Sequence, residues 1–202
     1  MRNKIIRIFR DYGIFQIFWL AICFLMTNIF FWNARLIRFP IFIRGRRRIR
    51  YGSGFTAGYF NRIDVLGNSG SLVIGDRVQI NDCCHIAVIE RVKIGDDVLI
   101  ASRVFISDHN HGVYSGSSLH CSPQSIPSCR PLASKPIVIG DRVWLGEGVV
   151  ILPGVTIGAG SVIGAGSVVT HDIPSECIAI GVPAKVVSAF ELNSARWRKI
   201  SE

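Results

Sequence analysis

The residues best suited to do chemistry are His109 and His111, in the run Ser107-Asp108-His109-Asn110-His111. An imidazole titrates near neutrality, so it can take a proton from an alcohol and give it back. A base of this kind works only where a rigid scaffold fixes it. The run follows an ordered aliphatic pattern directly, and a long polar stretch begins there. His120, further into that stretch, reads as a solvated side chain. The six cysteines include no CxxC pair, and the Cys83-Cys84 doublet is not a zinc spacing. They read as free thiols of a reducing compartment, and no metal is expected.

The scaffold that must hold these histidines is written in a period of six. Aliphatic residues fall at Ile74, Ile80, Ile86, Ile94, Ile100 and Ile106, then at Ile139, Leu145, Ile151, Ile157, Ile163 and Val169. Within each run the step is six, apart from one step of eight between Ile86 and Ile94. An α-helix turns by about 100° per residue, so this period scatters the marked residues around its axis. A triangular coil of three hexapeptides keeps them on one inward line, and stacked coils build a core that no single repeat could. The spacing predicts an all-β chain, a left-handed parallel β-helix. The small residue after many of the aliphatics suits a tight corner. Residues 51–73 read as a first, irregular coil, and the tail from about Ser188 to Ser201 reads as a short C-terminal helix with Trp197 as an anchor.

From Ile106 to Ile139 the step is 33 residues where six would suffice. The insertion, loop 107–136, is rich in Ser, Pro, Gly and His and shows neither helical nor strand period. Long loops on rigid scaffolds tend to be functional, and a straight-walled solenoid needs a projecting loop to close a pocket.

Residues 1–50 differ from the rest. They carry eleven Lys/Arg and one Asp, whereas residues 51–202 carry twelve Lys/Arg against thirteen Asp/Glu. A basic leader on a near-neutral body gives no nucleic-acid surface. Arg2, Lys4, Arg7 and Arg10 precede an apolar stretch, Gly13 to Trp32, and Arg35, Arg38, Arg44, Arg46, Arg47, Arg48 and Arg50 follow it. No small-residue cleavage site follows, which argues against a signal peptide. Association with a membrane, lying flat rather than spanning, is favoured over packing on the domain or on a neighbouring subunit. The organisation is thus a leader (1–50), a β-helix domain (51–187) and a helical tail (188–202).

The coils, the "SDHNH" corner, "IGDRVWLGEGVVILPGVTIGAGSVIGAGSVVTHDIP" and the closing "GVPAKVV" resemble the hexapeptide-repeat acetyltransferases, in particular the galactoside and maltose acetyltransferase group. Residues 35–187, including "IRFP" (Ile37–Pro40) and "QIND" (Gln79–Asp82), resemble bacterial lipopolysaccharide O-acetyltransferases of the O-antigen and colanic-acid type. The resemblance implies direct acyl transfer from acetyl-CoA, with His109 as the base that takes the proton of the acceptor hydroxyl. It places Asn81 near the reacting groups and Trp144 flanking them, each with a plain structural alternative as a corner residue or a surface cap. It implies backbone contacts to CoA at Gly146, Ala165, Thr170 and His171, with Lys185 for a phosphate, and a homotrimer. The galactoside-type enzymes have an acidic sugar-contacting residue where this chain has Val88-Ile89. The acceptor is therefore not expected to be a free galactoside or maltose. His85 and His111 are candidates for binding a different glycan acceptor, free or lipid-linked at the inner face of the cytoplasmic membrane. Three other readings stay open: a γ-type carbonic anhydrase with zinc on His85, His109 and His111, an antibiotic acetyltransferase, and a non-catalytic scaffold.

Overall fold

A computed structural model describes residues 13–114 and 120–200. The basic start at Arg2, Lys4, Arg7 and Arg10 lies outside the described residues. The chain enters as helix α1 (Ile14–Phe30). It then winds as a triangular solenoid, placing one short strand on each of three faces per coil.

The first coil is β1 (Leu36–Ile37), β2 (Phe42–Arg44) and β3 (Ile49–Tyr51). The second is β4 (Thr56–Ala57), β5 (Arg62–Val65) and β6 (Ser71–Ile74), and the third is β7 (Gln79–Ile80), β8 (His85–Val88) and β9 (Arg91–Ile94). The fourth begins with β10 (Leu99–Ile100) and β11 (Phe105–Ser107). A two-stranded ribbon, β12 (His109–His111) and β13 (Leu132–Ser134), then projects before β14 (Ile137–Ile139) closes that coil. The fifth is β15 (Trp144–Leu145), β16 (Val150–Ile151) and β17 (Thr156–Ile157), and β18 (Val162–Ile163) and β19 (Val168–Val169) follow. The first strands of the coils form face A, the second face B and the third face C.

All twelve aliphatics of the six-residue pattern are buried, none above 3% exposed. They stack in register: Ile86, Ile106, Ile151 and Val169 on face B, continued below by Ile63, and Ile74, Ile94, Ile139 and Ile157 on face C. Each such side chain contributes about 1.5–3 kcal/mol by leaving water. The small residue after the aliphatic has a specific cause. A Cβ on Gly95 would stand 2.7 Å from the backbone N of Asp141, in the next coil, so contact between coils demands glycine there. The left-handed backbone falls two residues later, as at Asp97 (φ 57°), Arg142 (φ 56°) and Gly148 (φ 68°).

Three expectations need correction. The leader does not end at residue 50, because β1 and β2 already pair in parallel with β4 and β5, so the solenoid starts near Leu36. The aliphatic pattern was faint there because aromatic and arginine residues interrupt it. The C-terminal tail is not helical. After β20 (Cys177–Gly181) the chain turns back as β21 (Ala184–Glu191) and β22 (Arg196–Lys199), both antiparallel. The last strand of face A leaves a row of backbone donors and acceptors that a hairpin satisfies and a helix does not, which overrides helical propensity. Trp197 packs edge-on against Phe190 at 5.4 Å, a contact within the tail's own hairpin. Finally, the inserted loop carries regular structure at its root, the β12–β13 ribbon.

Helix α1 closes the other end over face A. Thr27 Oγ accepts from the Ile37 backbone N at 2.9 Å, and Trp19 Nε1 donates to the Phe39 carbonyl at 3.2 Å. These side chains occupy the edge of β1 that no further strand covers among the described residues.

Candidate active site

Strand β11 leads straight into His109. Its Ser107 pairs with Ala87 of β8, so Asp108 arrives where the coil beneath leaves β8. That lower coil contains the step of eight. The extra residues make a turn in which the backbone N–H groups of Ile89, Glu90 and Arg91 point at one spot. The Asp108 carboxylate fills it, accepting all three at 2.8–3.2 Å. Asp108 is fully buried. Its Oδ1 lies 2.9 Å from Nδ1 of His109, whose side chain is 12% exposed.

The irregular step in the repeat thus makes the socket for Asp108, and Asp108 holds the imidazole. With Nδ1–H donated to the carboxylate, the lone pair lies on Nε2 and is ready to accept a proton. Asp108 had no role in the sequence reading. The signal that could have found it was the broken period one coil earlier.

The loop beyond is held by Arg130, which the sequence did not single out. Its guanidinium donates to Tyr114 Oη at 2.7 Å, Ser125 Oγ at 3.0 Å and the Ser125 carbonyl at 2.8 Å. Tyr114 in turn donates to the His111 carbonyl at 2.5 Å. The His111 ring itself is exposed. Beside the ribbon lies a cavity of about 260 Å³ lined by Asn110, Tyr114, Ser134, Lys135 and Pro153.

The other candidates are not all gathered around His109. His85 begins β8 on the outside of face B, its Nε2 3.2 Å from Asp64 Oδ2 and its ring 5.4 Å from that of Phe105. Asp64 is buried and also accepts from Arg44 Nε at 2.5 Å and Arg62 Nε at 2.6 Å. The Arg44 hydrogen bond, followed by those from Arg62 and His85, holds this carboxyl well below the usual carboxylate range, against the opposing effect of burial. Asn81 stands exposed at the corner between faces A and B. It lines a polar cleft of about 140 Å³ with Arg35, Arg38 and Gln79.

Trp144 is half exposed on face A, in register with Leu99 and Val162. Gly146 and Ala165 stack in adjacent coils so tightly that a Cβ on Gly146 would lie 2.6 Å from the Ala165 N. Thr170 and His171 touch through Oγ and Nδ1 at 2.7 Å, at the end of β19. Lys185 is exposed on β21. One chain therefore separates Asn81, Gly146 and Ala165 from His109 by a face B strand, roughly 13 Å for four residues. Among the described residues no three His, Cys, Asp or Glu side chains are gathered as a metal site. His85 and His109 each face their own aspartate.

Residues 136–171 match the bacterial transferase hexapeptide family (six repeats). The chain is 45% identical over 195 residues to a putative lipopolysaccharide biosynthesis O-acetyl transferase, WbbJ, of Escherichia coli (strain K12), covering 96% of this chain and 99% of that one. A galactoside acetyltransferase solved in complex with coenzyme A superposes with a TM-score of 0.50 at 32% identity, over 76% of this chain and 67% of the other. AntD, an N-acyltransferase from Bacillus cereus solved with dTDP and 3-hydroxybutyryl-CoA, shares the fold with a TM-score of 0.68 at 22% identity, over 84% and 89% of the two chains. The solenoid, its inserted loop and full-length similarity to WbbJ agree: the chain belongs to the bacterial hexapeptide-repeat acetyltransferases and is an acyltransferase.

Proposed function

We propose that the protein moves an acetyl group from acetyl-CoA to a sugar hydroxyl of a surface polysaccharide or lipopolysaccharide precursor. The observation that carries this reading is the Asp108–His109 pair, buried, rigid and aimed from the coil into the loop, in a chain resembling a lipopolysaccharide O-acetyl transferase along its whole length.

His109 Nε2 takes the proton of the acceptor hydroxyl as its oxygen attacks the thioester carbonyl carbon. The C–S bond of the tetrahedral species then breaks, and the proton on Nε2 passes to the departing thiolate to give free CoA. Asp108 keeps the ring in the required tautomer and offsets the transient imidazolium charge. A positioned base contributes about 10²–10⁴-fold.

The residues fit CoA. Gly146 and Ala165 form a smooth corner of backbone along which an extended ligand can lie. Lys185 carries no salt bridge among the described residues, which leaves its ammonium for a phosphate. Because that corner is a strand away from His109 in one chain, a neighbouring subunit supplies it, in a homotrimer. His85, His111, Asn81 and Trp144 are the side chains proposed to meet the acceptor.

The test is CoA release from acetyl-CoA with a panel of sugars and a membrane glycolipid extract, for wild type and His109→Ala. Glycan-dependent release that falls at least about a hundredfold in the variant supports the reading. No release with any acceptor, together with no acetyl-CoA binding, overturns it.

A further inference from the structure

The N-terminal end of the solenoid is unlike the rest of the surface. Helix α1 contains no charged residue. One stripe of it, centred on Cys23 and Thr27, is buried against β1. A helix so apolar on every side should be covered on every side. Yet Ile14, Phe15, Phe18, Leu25 and Ile29 are each more than 60% exposed, and helical spacing places them on one continuous stripe opposite Thr27.

The direction of this stripe follows from the hydrogen bonds. In a β-helix, strand-to-strand hydrogen bonds run along the solenoid axis. Thr27 and Trp19 take the place of the next strand below β1. The far side of α1 therefore looks out along the axis. Trp32 and Phe42 are exposed at the same end.

Charge surrounds this apolar end. Between Asp11 and Asp64 there is no acidic residue, while eight arginines occur from Arg35 to Arg62. Arg46 lies over the Phe31 ring and donates to the Phe30 carbonyl, at the foot of the helix. Arg47, Arg48, Arg50 and Arg91 line one cleft of about 340 Å³, and none of them has a salt bridge among the described residues. Arginines gathered without carboxylates repel one another and favour phosphate.

We infer that the protein docks end-on to an anionic lipid bilayer. Helix α1 lies in the interface with its exposed stripe among the acyl chains, and the first-coil arginines sit on lipid phosphates. Among the described residues no helix is long and apolar enough to cross a membrane, and α1 serves as a flat anchor. The solenoid then stands upright. His109, at the end of the fourth coil's face B strand, is roughly 15 Å above the first coil at about 4.8 Å per coil. This last step rests on the catalytic reading above; the docking does not.

The experiment is flotation of the full chain with phosphatidylcholine vesicles and with vesicles that also contain phosphatidylglycerol. Wild type is expected to float with the anionic vesicles and to dissociate as salt rises. Phe15→Asp with Phe18→Asp should abolish flotation, and Arg47→Glu with Arg50→Glu should weaken it at least about tenfold. Both pairs are mostly exposed, so native spectra and melting temperatures should persist. Failure of wild type to float, or flotation untouched by either pair, overturns the inference. So does a Phe15/Phe18 variant that changes oligomeric state while wild type ignores vesicles, which would make this end a contact between copies. CoA release from soluble acceptors, measured on the same samples, separates failure of docking from failure of the catalytic reading.

Discussion

Asp108 Oδ1 lies 2.9 Å from His109 Nδ1, and the same carboxylate is held by three backbone N–H groups of the coil below. The His109 imidazole is therefore oriented by the solenoid wall and not by the inserted loop beyond it. Asp108→Asn can keep the shape but presents the wrong hydrogen-bonding group to either Nδ1–H or the N–H cluster. kcat is expected to fall by about one to three orders of magnitude with little change in KM for acetyl-CoA. Asp108→Ala should in addition cost about 3 kcal/mol of stability, read from denaturant midpoints, because buried donors lose their acceptor. A wild-type kcat in Asp108→Asn would remove Asp108 from the mechanism.

Glycines in the coils serve two different ends, and alanine distinguishes them. Gly95→Ala drives a methyl into the backbone at Asp141, so about 2–3 kcal/mol of stability should be lost. Gly148 is in the left-handed region with open space around the new methyl, so Gly148→Ala should cost only about 1 kcal/mol. Thermal or urea unfolding of the two variants checks the order. Equal losses would refute the distinction.

Asp64 makes the stability of the second coil sensitive to acid. Its carboxyl is held below the ordinary aspartate value by Arg44, Arg62 and His85. A depressed folded-state value means that the stabilisation is fully present above the unfolded value, near pH 4, and disappears as pH drops towards the folded one. Asp64→Asn should thus lower the melting temperature at pH 7. The gap from wild type should narrow progressively below about pH 4. A constant gap down to pH 2 would show that the ionised carboxylate is not what stabilises.

Arg130 gathers the inserted loop onto Tyr114 and Ser125. Arg130→Ala should leave the solenoid's unfolding transition within about 1 kcal/mol of wild type, because its partners are loop residues. Limited proteolysis should cut the loop faster, and KM for the acceptor should rise. An unaltered cleavage rate would mean that the loop is held by something else.

The scaffold was legible because its code is local. An aliphatic every six residues has only one compact solution, and every marked residue from Ile74 to Val169 lies inside. His109 could be singled out because it follows the pattern directly. What escaped depends on contacts between coils. Asp108 is read correctly only once Ile89–Arg91 are known to lie beneath it, a relation between positions about 18 apart that no window reveals. The first coil was hidden because Phe, Arg and Pro replace the aliphatic-small pattern where helix α1 covers it. The tail was misjudged because its conformation answers an open strand edge and not its own propensities.

That edge has a consequence for the protein's size. A parallel β-helix is a template: every coil offers the next an identical rack of donors and acceptors, and nothing in the repeat itself says when to stop. Here β21 and β22 reverse direction on face A, and the outermost strand carries Arg196, Arg198 and Lys199. An arriving strand would meet a short, positively charged edge. With the opposite end covered by α1 over face A, two such molecules have no matching ends to join head to tail along that face. On face A, the hairpin ends the repeat by turning its last strand back on itself.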